Sequence, residues 1–316
     1  MYLVTGGAGF IGSHIVRELN DRGITDIVVV DDMTAGNKFV NLNDCTIADY
    51  MDRDELRYLI ENSQLEKPYR AIFHQGACTD TMETDGNYMM ENNFTFSKLL
   101  FHYALTRQIP FIYASSAAVY GGSNQFKEDP ANEHPLNVYG YSKLVLDQHI
   151  RRWLSVAKNT VVGLRYFNVY GARETQKGRM ASMVYQLYKQ LVEGGTARLF
   201  EGAEGYGNGE QRRDFISVED VVKVNLFFAD SPPVQGIVNL GTGQARSFND
   251  IANTLIRLIG HGKIKYIPFP DDLRGKYQSF TEASVTALRE AGYTEDFLSL
   301  EDGIQRAVEQ WSRADR

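Results

Sequence analysis

The stretch that decides the fold is TGGAGFIGS (5–13), which lies almost at the start of a chain of 316 residues. Gly6, Gly9 and Gly12 recur every third residue between a short apolar run, YLV, and an amphipathic segment, IGSHIVRELN. A strand running through so bare a turn into a helix has a physical use. Gly6 permits the tight turn, Gly9 lets the backbone approach a pyrophosphate, and Gly12 lets helix and sheet pack closely. The unpaired N–H groups at the helix start then face phosphate oxygens. Asp31 and Asp32 follow the apolar run DIVVV, about twenty residues further on, where an acid that binds a ribose belongs. The context predicts a dinucleotide site.

Outward from the turn, short β-branched runs alternate with helical stretches: YLV, DIVVV, AIF, PFIYAS and TVVGLRY, separated by segments such as RDELRYLIE and FSKLLFHYALTRQ. That alternation predicts an α/β fold, a Rossmann-like doubly wound parallel sheet with helices on both faces. Such a sheet binds its ligands beyond the carboxyl ends of the strands. The second half is less regular and predicts a smaller, mostly α/β substrate lobe. The expected division is residues 1–167 plus about 212–240 for the dinucleotide-binding domain. About 168–211 and 241–316 then form the lobe.

Two motifs supply chemistry. YASSAAVYG ends an apolar strand and places Ser115 and Ser116 on the ligand side, and NVYGYSK follows. In a helix Tyr139 and Lys143, at i and i+4, share a face. A phenol with a pKa near 10 is a poor base at neutral pH, and a nearby ammonium favours the phenolate. Lys143 can also hold nicotinamide ribose hydroxyls, and Ser116 can orient the reacting hydroxyl. Tyr141 points elsewhere and reads as packing. After Asn168 the chain gathers Arg173, Lys177, Arg179, Arg212 and Arg213, a local anion site suited to a sugar diphosphate.

The whole chain carries 33 Lys and Arg against 40 Asp and Glu, which argues against a general nucleic-acid binder. Two cysteines, Cys45 and Cys78, make no disulfide framework, and no spacing points to a metal. No apolar run reaches the length of a membrane span. MYLVTGG lacks the basic and apolar regions of a secretory signal. A cytoplasmic protein with no membrane or nucleic-acid partner is expected.

The GxxGxxG spacing with Ser116, Tyr139 and Lys143 resembles the extended short-chain dehydrogenase/reductase superfamily. Blocks including TGGAGFIGSHIV, AIFHQGAC, PLNVYGYSK, RYFNVYGARE, KGRMAS, LFEG and YIPFPDDLRGKYQSFT are similar to the ADP-L-glycero-D-manno-heptose 6-epimerases. The resemblance implies an isomerase that interconverts ADP-D-glycero- and ADP-L-glycero-β-D-manno-heptose at C6″ for the lipopolysaccharide core. It would do so by transient oxidation to a ketone and re-reduction. It implies Tyr139 and Lys177 as the two acid/base groups, Lys177 reading equally as a phosphate ligand. It implies substrate contacts from Asn168, Arg179, Gln186, Phe200, Glu201, Gly202, Ala203, Arg213 and Tyr277. For the cofactor it adds Phe10, Ile11, Asp31, Asp32, Lys38, Arg53, Gln75, Gly76, Ala77, Cys78, Thr79, Asn92, Lys143 and Val169. NADP is the implied cofactor, with Lys38 and Arg53 facing its 2′-phosphate. Asp32 repels that group and leaves NAD open. A homo-oligomer, usually a pentamer, is implied as well. Two other functions fit the same motifs: another nucleotide-sugar epimerase, such as one acting at C4 of a UDP-hexose, or a non-catalytic NADP-binding module. The EGYGNGEQ stretch before RRDF is an insert relative to the family.

Overall fold

The computed structural model describes residues 1–34, 36–270 and 278–314. In chain order its strands are β1 (Tyr2–Thr5), β2 (Ile27–Asp31), β3 (Asp49–Asp52), β4 (Ala71–His74), β5 (Phe111–Ser116) and β6 (Val161–Tyr166). They continue as β7 (Asn168–Tyr170), β8 (Thr196–Phe200), β9 (Arg212–Ser217), β10 (Gln235–Leu240), β11 (Ala245–Ser247) and β12 (Lys263–Ile267). Seven of them form one parallel sheet in the order β10–β6–β5–β4–β1–β2–β3. The direction of winding reverses between β1 and β4, which opens a crevice at their carboxyl ends.

The sheet is buried on both faces. Tyr2, Val4, Ile27 and Val29 pack with Ile15, Val16 and Leu19 of α1 (Phe10–Asp21). Their neighbours Leu3, Val28 and Val30 point the other way. There they meet Leu56 of α2 (Arg53–Glu61), and beyond the short α3 (Gly86–Met90) also Leu100 and Phe101 of α4 (Phe96–Arg107). Leu146 and Ile150 of α5 (Val138–Leu154) complete that face. Because alternate residues are apolar on both sides, each strand reads as a continuous run. The edge strand β3, DYMD, buries only Met51 and gives no such run; its acids leave the edge unattractive to another strand.

The lobe has its own core. α6 (Met183–Gly194) contributes Val184, Leu187 and Leu191. After α7 (Val218–Asp230) returns to the main sheet, α8 (Phe248–Ile259) adds Ile251 and Leu255. Past the short α9 (Thr286–Glu290), α10 (Leu300–Ala314) adds Ile304 and Trp311. Two small sheets flank this core, β11–β9–β7 and β12–β8. β9 joins the lobe's sheet, whereas α7 and β10 close the main one. Among the described residues no helix is long and apolar enough to cross a membrane.

Candidate active site

The glycine turn sits at the crevice. Gly6 has φ +65°, and a Cβ on Gly12 would lie 2.1 Å from the Gly6 carbonyl oxygen, so the helix rests directly on the turn. That differs from the expectation that Gly12 serves helix–sheet packing; the contact it relieves is with the turn itself. Gly9 is the N-cap of α1 and no side chain caps the helix, which leaves its first-turn amides for an anion. Asp31 holds the turn in shape: its carboxylate accepts from the Ala8 N–H at 2.9 Å and from Lys38 Nζ at 2.9 Å. Beside it Asp32 accepts from the Thr34 N–H at 2.8 Å, and hydrogen bonds from the Thr34 side chain and backbone lower its pKa.

A pocket of about 140 Å³ gathers Gly6, Asp31, Asp32, Lys38, Arg53, Gly76, Ala77, Cys78 and Asn92. Arg53 donates to the Asn92 side chain and pairs with Asp54. Ala77 also borders a larger cleft of about 680 Å³, which includes Phe10, Ile11, Gln75, Thr79, Ser116, Tyr139, Lys143 and Val169. The two spaces follow the glycine turn from the end of β2 to the end of β5. Uncapped amides at one point, acids and cations at one end and a Ser–Tyr–Lys group at the other fit a nicotinamide dinucleotide.

The reacting end is positioned by α5. Asn137 caps that helix by accepting from the Gly140 N–H at 2.8 Å. A Cβ on Gly140 would come within 2.7 Å of the Ala118 carbonyl, so only glycine lets the helix press against the loop that carries Ser116. Burial raises the Tyr139 phenol above its usual pKa, and a hydrogen bond with Ser116 offsets only part of that rise. The lowering partner is therefore Ser116, where the sequence pointed to Lys143. Lys143 is 3% exposed, donates to the Ala114 carbonyl at 2.8 Å, and is pushed by burial down to about 8 against the pull of Asp147. Ser115 is committed elsewhere: its hydroxyl donates to Asp147 at 2.9 Å. Asp147 also accepts from Tyr113 at 3.0 Å and Arg165 at 3.0 Å, making a buried polar brace under the site.

Across the cleft stands Lys177, in the turn Thr175–Met180, with its Nζ 5.1 Å from the centre of the Phe10 ring. Burial lowers its pKa while Glu174 opposes that shift. Glu174 shapes the whole segment: it accepts from the Gly171 N–H at 3.1 Å, the Ser182 N–H at 2.5 Å and the Ser182 hydroxyl at 2.8 Å. Gln186 ties the same segment down by donating to the carbonyls of Arg179 and Ala181. Asn168, Gln186, Phe200 and Arg213 line the cleft. Asp214, buried beneath them, accepts from Thr242, Gly243 and Ala283 backbone N–H groups and so anchors the loop after β10.

Not every expected residue reaches the cleft. Arg179 is largely exposed and pairs with Asp80 at 2.5 Å. Glu201 and Gly202 are exposed and Ala203 half-buried, outside the lining. Tyr277 lies outside the described residues. Of the five cations gathered after Asn168, Arg173 is engaged by Asp44 at 2.7 Å, and only Lys177 and Arg213 line the cleft. The insert is a compact turn in which Gly202 N–H donates to Asn208 at 2.8 Å and Asn249 of α8 donates to the Asn208 carbonyl at 2.8 Å. Sequence reasoning missed Glu174 and Asp214, whose acidic side chains carry no local pattern, and the apolar lining from Met180, Met183, Phe215 and Phe248.

Comparison with known proteins identifies the family. Residues 2–241 match the family described as NAD dependent epimerase/dehydratase family. An ADP-L-glycero-D-manno-heptose-6-epimerase of Alkalilimnicola ehrlichii is 56% identical over 98% of this chain and 97% of its own. The crystal structure of the Helicobacter pylori ADP-L-glycero-D-manno-heptose-6-epimerase superposes with a TM-score of 0.84 at 33% identity, covering 98% of this chain and 95% of that one. A UDP-glucose 4-epimerase of Thermotoga maritima with UDP-glucose gives 0.82 at 27% identity over 100% and 99%. The chain therefore belongs to the NAD dependent epimerase/dehydratase family and, within it, to the ADP-L-glycero-D-manno-heptose-6-epimerases.

Proposed function

We propose that this protein is an isomerase that interconverts ADP-D-glycero-β-D-manno-heptose and ADP-L-glycero-β-D-manno-heptose at C6″, serving the heptose supply of the lipopolysaccharide core. The observation that supports the reading is that Tyr139 and Lys177, two side chains able to exchange protons, line one cleft, in a chain 56% identical to an enzyme of that name. The hydrogen on C6″ has no adjacent carbonyl to acidify it, so direct proton abstraction is ruled out chemically. A nicotinamide held by the glycine turn, Asp31, Gln75, Asn92 and Lys143 would supply the alternative, reversible hydride chemistry at C6″.

The chain's own residues manage the protons and the geometry. Tyr139 Oη exchanges the proton of the C6″ hydroxyl, and Ser116 orients that hydroxyl as it becomes a carbonyl. Lys177, with a pKa lowered by burial, exchanges the proton when the ketone presents its other face. Asn168, Gln186, Phe200 and Arg213 hold the nucleotide-sugar, with Arg213 supplying charge for phosphate. The glycine turn, Asp31, Gln75, Asn92 and Lys143 hold the dinucleotide. NADP is the proposed form, its 2′-phosphate near Arg53 and Lys38 and opposed by Asp32. A cytoplasmic homo-oligomer is part of the same proposal, and light scattering of the purified protein tests its assembly.

The deciding experiment incubates the purified protein with ADP-D-glycero-β-D-manno-heptose and, separately, with UDP-galactose, following C6″ and C4″ by NMR. Inversion at C6″ only is expected. Inversion at C4″ only transfers the reading to a UDP-hexose 4-epimerase, and C6″ inversion by protein freed of all nicotinamide overturns the mechanism.

A further inference from the structure

β8 and β12 run parallel with Thr196 beside Lys263, Arg198 beside Lys265 and Phe200 beside Ile267. Alternate residues of a strand share a face, and paired positions in parallel neighbours point the same way. These six side chains therefore lie on one face, while Ala197 and Leu199 are buried in the lobe's core on the other. At one end Phe200 and Ile267 line the large cleft. At the other end Thr196, Lys263 and Lys265 line an open pocket of about 540 Å³. Arg198 and Gln190 border both spaces. The face is a continuous path from solvent into the substrate side of the cleft.

Its charge is unlike that of the chain as a whole. The protein carries a formal charge of −7, which repels a nucleotide diphosphate at long range. Along this path stand three cations, Arg198, Lys263 and Lys265, none in an ion pair with another described residue. Among the described residues lining the pocket the one carboxylate, Glu193, faces Lys189 at 3.4 Å. Exposed charges act over about 8–10 Å at physiological ionic strength, far enough for two strand rungs to act together.

We propose that the β8–β12 face is a cationic approach track that draws the diphosphate of a nucleotide-sugar toward the cleft, setting the rate of association and leaving the chemical step untouched. The inference rests on the nucleotide-sugar reading above. Its test uses the holoenzyme, with Lys263→Gln and Lys265→Gln combined. Association of a fluorescent ADP analogue is measured by stopped flow at about 20 mM and about 500 mM salt. kcat/KM for ADP-D-glycero-β-D-manno-heptose is measured under the same conditions. At low salt both quantities are expected to fall about three- to tenfold with kcat unchanged, and the gap to the parent should close at high salt. Lys263→Arg with Lys265→Arg should restore the parent values. Equal rates and equal salt slopes in parent and Gln variant overturn the track. So does a deficit that persists at high salt, which would mark a direct contact. If the parent fails to invert the heptose yet its ADP association keeps the salt-dependent deficit in the variant, the functional reading falls and the track stands.

Discussion

The wall of the cleft formed by β1, β4 and β5 is made mostly of backbone. Gly6, Gly76 and the first turn of α1 come together at strand ends whose side chains are buried on both faces. The facing wall is made of side chains from separate segments, 168–186, 198–200, 211–215 and 248; the first is fastened by Glu174 and Gln186 and the third by the buried Asp214. Backbone sites tolerate change in most side chains and fail at a few glycines. Side-chain sites depend on the acids underneath, Glu174 and Asp214, which do not themselves line the cleft. Substitutions that treat the two walls differently test this contrast.

The largest effect is expected at the residue on the backbone-built side to which the proposal assigns chemistry. Tyr139→Phe removes the hydroxyl that Ser116 holds and leaves α5 and the Lys143–Ala114 bond in place. Turnover is expected to fall about 10²- to 10⁴-fold, while the nicotinamide retained by the purified protein is unchanged. Heptose inversion by NMR and cofactor absorbance on the same sample check both halves. Turnover within threefold of the parent would remove Tyr139 from the mechanism.

Lys177→Ala probes the opposite wall. As a second acid/base, Lys177 should carry about a hundredfold of kcat with little change in KM; as a phosphate ligand it would show mainly in KM. Glu174→Gln sharpens the point. It removes the charge that opposes the lowering of the Lys177 pKa and weakens the hold on Ser182. Its alkaline pH–kcat limb should therefore move to lower pH, with cofactor retention unchanged.

The contrast also explains what could be read in advance. The main sheet was legible because strands buried on both faces announce themselves as unbroken apolar runs, and the glycine turn because its spacing has few other uses. β3 was not, since DYMD contacts the core through Met51 alone. Tyr139 and Lys143 followed from one helical turn, but the source of the phenol's lowering influence did not: Ser116 is 23 residues away in sequence. In the lobe the cation cluster was visible and its use was not, because Arg173 answers to Asp44, 129 residues distant. Glu174 and Asp214 acquire meaning only from the donors that folding brings to them.

Under the backbone wall lies a neutral histidine whose titration measures how firmly that wall is held. His74 is 2% exposed, with Nδ1 2.6 Å from Thr5 Oγ1 and Nε2 2.7 Å from Ser97 Oγ. The Thr5 oxygen also accepts from the Gly76 N–H at 3.2 Å, so both ring nitrogens of His74 are hydrogen-bonded within the wall. Burial pushes the His74 pKa down to about 3. The unfolded chain binds a proton near pH 6.5 and the folded one does not, so this contribution is present above pH 6.5 and drains as pH falls toward 3. Between pH 6.5 and 5 the loss should reach about 2 kcal/mol in urea unfolding, and His74→Gln should remove that slope.

The smallest effect separates two forms of one cofactor. Lys38 is already held by the Asp31 carboxylate and the Asp32 carbonyl, at 2.9 and 2.7 Å, so it offers a 2′-phosphate less than a full charge. Arg53 is shared with Asp54. Asp32, its pKa lowered by the Thr34 bonds, stays ionised at neutral pH and opposes the phosphate. Asp32→Asn keeps an oxygen for the Thr34 N–H and removes only the charge. NADP affinity is expected to rise about tenfold, roughly 1.4 kcal/mol, with NAD affinity changing less than about twofold. Titration of nicotinamide-free protein with each form checks it. An unchanged ratio would place the 2′-phosphate outside the pocket at the end of β2, and the backbone wall would then end one step sooner, at the glycine turn.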